Sequence, residues 1–280
     1  MAAADSFTLG CAFSLLAHAR PESGPAGQRF GKGTGSSLEF QEFRDYQAGD
    51  DLRHVDWRAY ARTETLTTRL YREEIAATVE LILDGSSSMD LTTAKGLTSR
   101  GLMGFLAGAC SGDSMLRSIL ASNPPSPLPK DALRTASDKQ LPFECSIPLT
   151  HLPLSGFLKS GTVRIIISDF LFPHDARSLL QKLGARASTL IVLQVLDPEE
   201  WQPAHRGSLR LHDIESGTLR DLAVDDHVTN QYQQRLTRLC NSLQAEVRRF
   251  GGAYVRVLAK ETLEDVVYED LIPTGLVEPR

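Results

Sequence analysis

The chain has 280 residues, a formal net charge of −5 and a sequence pI near 5.8, with 41% hydrophobic and 23% charged residues. This length and composition fit one large α/β domain, or a medium-sized domain with an extra segment, and exclude a disordered chain. The acidic balance disfavours nucleic acid as a ligand, because a phosphate backbone requires a basic protein surface.

The cysteines and the apolar stretches predict where the protein works. Four widely spaced cysteines without a Cys-x-x-Cys pair disfavour a zinc site and a disulfide framework, and they are typical of a cytosolic protein. The apolar stretches 163–167 and 190–196 are far shorter than the roughly 20 residues that a membrane helix needs. We therefore predict a cytoplasmic protein without an integral membrane segment. The apolar stretch 7–16 has no preceding basic residue, so we interpret it as a short packing helix rather than a targeting signal.

The elements predicted along the chain change in character near residue 76. Segment 38–72 is polar, charged and aromatic without a clear period, which predicts an irregular segment with short strands. Beyond it, apolar runs predict strands at 78–84, 114–120, 162–168, 189–196 and 253–258. Helical patterns lie at 93–110, 152–159, 175–183, 228–250 and 263–268. The proline-rich segment 123–129 predicts a loop of unassigned role, and 209–213 with 219–223 predict an inserted β-hairpin.

This alternation of strands and helices predicts the fold class. Near-continuous apolar strands alternating with helices indicate an α/β protein with a mostly parallel sheet that is covered on both faces. We predict an N-terminal segment over residues 1–75 and the α/β domain over residues 76–280. In such sheets ligands bind at the carboxyl ends of the strands. Asp84 and Asp169 both follow predicted strands, so we expect them to be neighbours in space.

A D-x-S-x-S pattern follows the strand 78–84. Asp84, Ser86 and Ser88 can aim one carboxylate and two hydroxyls at one point, and such hard oxygen ligands suit Mg²⁺, Mn²⁺ or Ca²⁺. The alternative is that these residues cap the helix that follows. The position of Asp169 favours the metal site. The spacing resembles the metal-ion-dependent adhesion site of von Willebrand factor A domains, which are binding modules rather than enzymes.

A second motif precedes this strand. Residues 46–63 read YQAGDDLRHVDWRAYART and resemble the DUF58 family signature Y-x-P-G-D-D-x-R-x-I-D-W-R-x-x-A-R. The segments ISDF at 167–170 and LDPEE at 196–200 are also similar to family motifs, so the resemblance covers roughly 36–222. It implies a von Willebrand A-like fold with a divalent metal site. It also implies association with MoxR-type AAA+ ATPases in chaperone-like maturation or a stress response.

The resemblance to the adhesion site implies a role for each ligand. Asp84 would hold the metal directly or through water, Ser86 and Ser88 would coordinate through their hydroxyls, and Asp169 would supply the second carboxylate. A threonine from an intermediate loop usually completes the set, and this chain has no clear match. The two weak candidates by spacing are Ser146 and Thr150.

The charged block before the strand has two interpretations. Opposite charges interleave around one tryptophan, in the set Asp50, Asp51, Arg53, Asp56, Trp57, Arg58 and Arg62. The favoured interpretation is a salt-bridged structural network, because the planar arginine fork pairs bidentately with carboxylates. The alternative is a partner-binding surface, or a site for an anionic ligand that uses Arg58 and Arg62.

These motifs predict a non-catalytic interaction module. We expect a protein partner, a MoxR-type AAA+ ATPase or its client, to bind through Mg²⁺ (or Mn²⁺ or Ca²⁺). A metal with few protein ligands keeps waters, and a partner's Asp or Glu can replace one. The alternative function is a metal-dependent hydrolase acting on a phosphoester. However, the second aspartate of haloacid dehalogenase-type enzymes is replaced by Ser86, and the G-x-S-x-G elbow of serine hydrolases is missing.

Overall fold

The computed structural model describes residues 4–16, 38–47, 49–73, 77–112, 114–135, 141–215 and 217–280. Two compact units are present, one formed by residues 1–23 and 77–280 and the other by residues 24–76. In the described part of the chain the α-helices are α1 (Ala4–Cys11), α2 (Trp57–Thr63), α3 (Thr93–Ala109), α4 (Lys130–Thr135), α5 (Ala176–Leu183), α6 (Pro198–Trp201), α7 (Asp226–Arg249) and α8 (Leu263–Val266). The strands are β1 (Phe13–Leu15), β2 (Leu38–Asp45), β3 (Thr67–Glu73), β4 (Ala77–Asp84), β5 (Ser114–Ala121), β6 (Ser126–Pro127), β7 (Val163–Ser168), β8 (Thr189–Leu196), β9 (Gly207–His212), β10 (Leu219–Val224), β11 (Tyr254–Leu258) and β12 (Val277–Pro279).

The larger unit is built on a six-stranded sheet in the order β11-β8-β7-β4-β5-β6. All neighbouring strands are parallel except β5 and β6, which are antiparallel. The chain runs from β4 to β5 on one side and then returns to β7 on the other side. The strand order therefore reverses between β4 and β7, and the carboxyl ends of these two strands form the topological switch point.

The sheet is covered on both faces, as the apolar strands predict. Alternate side chains of a strand point to opposite faces. On β4, Leu81 and Leu83 pack in one buried cluster with Phe105 of α3, whereas Ile82 packs in a second cluster with Leu180 of α5. The predicted mixed α/β class with a mostly parallel central sheet is confirmed.

The N-terminal helix packs against α3 in the larger unit. A Cβ atom on Gly108 would lie 2.1 Å from the carbonyl oxygen of Phe7, so the two helices approach at backbone distance. Strand β1 pairs antiparallel with β12. The prediction grouped residues 1–75 as one N-terminal segment. In the structure the first helix belongs instead to the larger unit, where it packs against α3.

Two local predictions differ from the structure. Segment 152–159 forms only a 3-10 turn at Leu154–Gly156, because Pro153 has no N–H to donate and Leu152 and Leu154 are buried in the core. Segment 38–72 is more regular than expected, with β2 and β3 paired antiparallel and helix α2 between them. A register shift between Phe40 and Glu42 interrupts the period of two.

Two short helices, α4 and α6, were not predicted from the sequence. Helix α4 follows the predicted loop 123–129, which is irregular apart from the two residues of β6. Helix α6 begins at Pro198 and is held by a capping box between Asp197 and Glu200.

A buried ion pair joins β4 and β7 away from the switch point. Glu80 and Arg164 are directly opposite each other in the parallel register, and both are fully buried. The Arg164 Nε and Nη2 groups donate to Glu80 Oε2 at 3.0 and 2.8 Å. The remaining groups are also satisfied, since Glu80 accepts from Lys159 N and Arg164 donates to the carbonyl of Ala185. The pair therefore fixes the register of two central strands.

Candidate functional site

The carboxyl end of β4 places Asp84 at the switch point. The Asp84 carboxyl is buried and accepts hydrogen bonds from Ser86 N at 3.0 Å and from Ser168 Oγ at 2.6 Å. Ser168 is the last residue of β7, and Asp169 comes directly after it. The charge of Asp169 acts on Asp84, so the two carboxylates lie close together in space. This is the arrangement that a reversal of strand order creates.

The two serines of the motif turn toward one another. The Ser86 and Ser88 hydroxyl oxygens lie 3.1 Å apart, at the start of a 3-10 turn that buries Met89. Asp84 Oδ1 holds the Ser86 amide, which fixes the backbone of this turn. The Asp84 carboxyl group and the two hydroxyls therefore lie together in one turn at the end of β4.

The two weak ligand candidates lie in different settings. The residue before Ser146 is Cys145, whose N–H donates to the Gly85 carbonyl at 2.9 Å, so Ser146 lies beside the motif. The Thr150 hydroxyl is buried without a hydrogen-bond partner among the described residues. Its carbonyl accepts from Lys182 of α5. In the described part of the chain, no hydrogen bond joins Thr150 to the Asp84 group.

Sequence reasoning missed a lysine at the centre of the site. Lys95 lies in the first turn of α3, and its Nζ donates to Asp169 Oδ2 at 2.9 Å and to Glu200 Oε1 at 2.8 Å. The Lys95 and Asp169 side chains are completely buried, and Glu200 is 13% exposed. A lysine three residues after the Thr92 N-cap, directly downstream of D-x-S-x-S, is the signal that points to it. Asp169 is therefore already neutralised by a cation of the chain itself.

Burial and charge shift the titration of these groups. Burial, together with the charge of Asp169, raises the pKa of Asp84 to about 6. Burial opposes the charged form of Lys95, but the charges of Asp169 and Glu200 outweigh it and raise the pKa of the ammonium. Asp84 therefore carries its negative charge at neutral pH against a free-energy cost, whereas the ammonium stays charged.

A pH-dependent stability difference is expected from Asp84. Because its pKa rises from 3.8 to about 6 in the folded protein, the folded state binds more protons than the unfolded state between these pH values. Its contribution to stability is therefore fully present below pH 3.8 and is lost as pH rises through 6. In metal-free buffer, wild type should lose about 2 kcal/mol relative to Asp84→Asn between pH 4 and pH 7.5. Urea unfolding at both pH values measures it, and parallel stability curves would contradict it.

The tip of the predicted β9–β10 hairpin carries Glu215, which is half-buried. Burial and the charge of Asp169 raise the pKa of this carboxyl group.

The chemistry of these donors fits a hard divalent cation. The Asp84 carboxylate and the Ser86 and Ser88 hydroxyls offer hard oxygen ligands, and among the described residues no lysine or arginine donates a hydrogen bond to the buried Asp84 carboxylate. Asp169 differs from the prediction in that one of its oxygens is bonded to Lys95. Among the described residues, no three His, Cys, Asp or Glu side chains group as metal ligands. A cation here would depend on one carboxylate and two hydroxyls.

The acidic residues of the charged block serve local structure in the smaller unit. Asp50 receives two hydrogen bonds from Arg44 Nη2, at 2.7 and 2.8 Å. Asp51 accepts from the backbone and the guanidinium of Arg53, and these bonds lower the pKa of Asp51 to about 2. Asp56 is buried and caps α2, because its side chain accepts hydrogen bonds from the backbone N–H groups of Arg58 and Ala59. These contacts agree with the favoured structural interpretation for the acidic members of the block.

The remaining members of the block are exposed on α2. Trp57 is 54% exposed and stacks edge-on with Tyr60 at a ring distance of 6.3 Å. Arg58 and Arg62 are exposed, and no ion pair joins either of them to another described residue. For these three residues the partner-binding alternative stays a prediction.

The described helices are also relevant to membrane association. None of them combines the length and the apolar character that crossing a bilayer requires. The cytoplasmic location stays a prediction.

Individual proteins resemble this chain in sequence or in structure. An uncharacterized protein of Mycobacterium tuberculosis and another of Mycobacterium bovis are each 27% identical over 261 residues, covering 86% of this chain and 81% of the relative. An aerotolerance-related membrane protein from Bacteroides fragilis is similar in structure, with a TM-score of 0.39 and 13% identity over 69% of this chain and 96% of that one. BatB from Bacteroides thetaiotaomicron is also similar in structure, with a TM-score of 0.40 and 14% identity. The match covers 71% of this chain and 98% of BatB. At these scores the structural likeness carries no inference about function.

The match to a protein-family model identifies the family of this chain. The family described as protein of unknown function DUF58 matches residues 42–114 and 148–240, which is more than half of the chain. The first matched range contains the GDD–DWR–AR block, the D-x-S-x-S turn and Lys95, and the second contains Asp169, Glu200 and Glu215. The chain therefore belongs to the DUF58 family.

Proposed function

We propose that this protein is a non-catalytic interaction module with a von Willebrand A-like fold, which binds a partner protein through Mg²⁺, Mn²⁺ or Ca²⁺ at an adhesion-type site. The observation that carries the proposal is the placement of Asp84, Ser86 and Ser88 in one turn at the switch point between β4 and β7. Ligands bind at this position in open α/β sheets.

The electrostatics of the site support a cation. Burial of the Asp84 carboxylate opposes its ionised form, and a bound divalent cation would reverse that penalty. Lys95 is bonded to Asp169 and Glu200 and therefore leaves the charge of Asp84 uncompensated. With three protein donors the cation would retain waters, which a carboxylate of a partner can replace.

The surroundings of the serines support binding rather than catalysis. A nucleophilic serine needs a base within hydrogen-bond reach. In the described part of the chain the Ser86 and Ser88 hydroxyls bond to one another, and neither bonds to a histidine. The ring of His174 packs on Phe172, and its Nδ1 lies 2.8 Å from the Phe172 carbonyl. The metal-dependent phosphoester hydrolase remains the alternative that the experiment below also tests.

The proposed partner is a MoxR-type AAA+ ATPase or a client of that ATPase. This part of the proposal rests on what the family resemblance implies, and it would place the protein in complex maturation or a stress response. The exposed aromatic and arginine residues of α2, Trp57, Arg58 and Arg62, are of the types enriched in protein interfaces.

Removal of the Asp84 carboxylate is expected to abolish metal binding. Titration calorimetry with Mg²⁺ and Mn²⁺ should show binding to the wild type that weakens by at least about 10-fold in Asp84→Asn, because the one carboxylate donor has lost its charge. Asp225→Asn is the matched control, since Asp225 also caps a turn of backbone but lies at the start of α7.

The outcomes separate the three interpretations. Equal affinities in wild type and Asp84→Asn would contradict the metal site and leave Asp84 as a cap. Metal binding that is accompanied by Asp84-dependent turnover of a generic phosphoester would favour the hydrolase. Metal binding without turnover, together with Mg²⁺-dependent capture of the MoxR-type ATPase that EDTA reverses, would support the interaction module.

A further inference from the structure

Phe170, which directly follows Asp169, has a strained backbone conformation. Its φ of 55° lies in the left-handed region, which residues with bulky side chains rarely adopt. Its side chain is fully buried, so interior contacts rather than an exposed turn fix this conformation. Strained residues of this kind persist only where the surrounding structure holds them, and they cluster at functional sites. The hydrogen bonds around Phe170 therefore identify the residues that hold it.

Hydrogen bonds connect this strained turn to both carboxylates of the candidate site. Phe170 N–H donates to Ser168 Oγ at 3.1 Å, and the same hydroxyl donates to Asp84 Oδ2 at 2.6 Å. Leu171 N–H donates to Asp169 Oδ1 at 3.1 Å. The orientation of the Asp169 carboxylate therefore depends on the backbone of this turn, which one hydroxyl also joins to Asp84.

A buried glutamine on the neighbouring strand β8 makes a further contact with the turn. Gln194 lies opposite Ser168 in the parallel register and is completely buried. Its Nε2 group donates to the carbonyl oxygen of Asp169 at 2.7 Å. Its Oε1 atom accepts from the Tyr254 hydroxyl at 2.5 Å and from the Cys240 thiol at 3.3 Å. These two donors fix which end of the amide is the oxygen, so the amide N–H group faces the peptide bond before the strained residue.

We propose that Gln194 is a positioning residue of the candidate site. By bonding the Asp169 carbonyl, its amide locks the peptide group before Phe170 in the orientation that the left-handed backbone requires. The lock thereby keeps the Asp169 carboxylate bonded to Lys95. A buried amide is costly unless its polar groups are bonded, and Gln194 is the one polar residue in the apolar run 190–196. The inference goes beyond the proposed function, because the lock operates whether or not a metal binds.

Replacing Gln194 by methionine tests the lock in EDTA. Methionine has a similar length and no N–H group, so the Asp169 carbonyl loses its partner. The φ of Phe170 should leave the left-handed region, which its three-bond HN–Hα coupling and Cα chemical shift measure by NMR. The nitrogen signal of the Lys95 ammonium should shift as well, because this ammonium is bonded to Asp169. Cys240→Ala removes a donor from the other end of the amide and should leave both signals unchanged. A left-handed Phe170 in Gln194→Met would overturn the proposal.

A second background separates positioning from a general loss of core stability. Glycine adopts a φ of 55° without steric cost, so Phe170→Gly removes the strain that needs the lock. In that background Gln194→Met should shift the Lys95 ammonium signal several-fold less than in the wild-type background. Equal shifts in both backgrounds would assign Gln194 a purely structural role and overturn the proposal. If Phe170→Gly does not fold, the Phe170 coupling in Gln194→Met decides alone. Because EDTA is present throughout, these outcomes are independent of whether calorimetry finds a metal site.

Discussion

Replacing Lys95 by alanine is expected to lower the free energy of unfolding by about 3–5 kcal/mol, because breaking a buried ion pair leaves an uncompensated buried charge. The ammonium is bonded to Asp169 and Glu200, and its side chain is fully buried. Without the ammonium, the negative charge of Asp169 would act on the Asp84 carboxylate without the compensating charge of Lys95. Urea unfolding at pH 7 in EDTA measures the loss.

A matched lysine and a metal rescue make this result specific. Lys130→Ala removes an exposed lysine from α4 and should leave the free energy of unfolding nearly unchanged. The Lys95→Ala variant should gain more stability from added Mg²⁺ than wild type, because a cation now meets an uncompensated carboxylate. If Lys95→Ala were as stable as Lys130→Ala, the buried cation would not hold the site together. Loss of stability without metal rescue would instead assign Lys95 a purely structural role.

Replacing Arg164 by alanine is expected to be similarly destabilising, by about 3–5 kcal/mol, because Glu80 remains buried without its cation. Arg164 also holds the carbonyl groups of Lys159 and Ala185, which would lose their partners. Denaturant unfolding compares this variant with Arg249→Ala. Arg249 pairs with Glu246 near the surface, where such a pair contributes about 0–1 kcal/mol.

A second variant keeps this prediction testable when Arg164→Ala does not fold. Replacing both partners, as in Glu80→Gln with Arg164→Met, removes the uncompensated charge and should recover part of the lost stability. Glu80 lies four residues before Asp84 on β4, about 13 Å along the strand. Metal affinity in the double variant should therefore match wild type. A double variant less stable than Arg164→Ala would contradict the assignment of the cost to the unpaired Glu80 carboxylate.

Local patterns were sufficient for the elements of the sheet and for one side of the site. The strand predicted at 189–196 has the same boundaries in the structure. The strands predicted at 78–84 and 162–168 end where β4 and β7 end, and their starts differ by one residue. This is because buried parallel strands are continuous apolar runs that polar residues end. Once the carboxyl ends of β4 and β7 were placed, the proximity of Asp84 and Asp169 followed from topology.

Helix boundaries were less predictable where proline or short length competed with periodicity. Segment 152–159 shows a helical pattern, yet Leu152 and Leu154 are required by the core, and Pro153 cannot donate to a helical ladder. Helix α6 depends on one capping box rather than on any apolar period. In both cases tertiary burial or a single cap outweighs the periodic signal.

By itself the sequence determined the carboxylate and hydroxyl groups of the D-x-S-x-S motif, their spacing and the family, because these are properties of consecutive residues. Tertiary structure alone decided what surrounds those ligands. Lys95 reaches Asp169 and Glu200 across 74 and 105 residues of chain, respectively. Such pairings depend on strand order and on the position of a turn, so the charge balance of the site is a property of the fold rather than of any local motif.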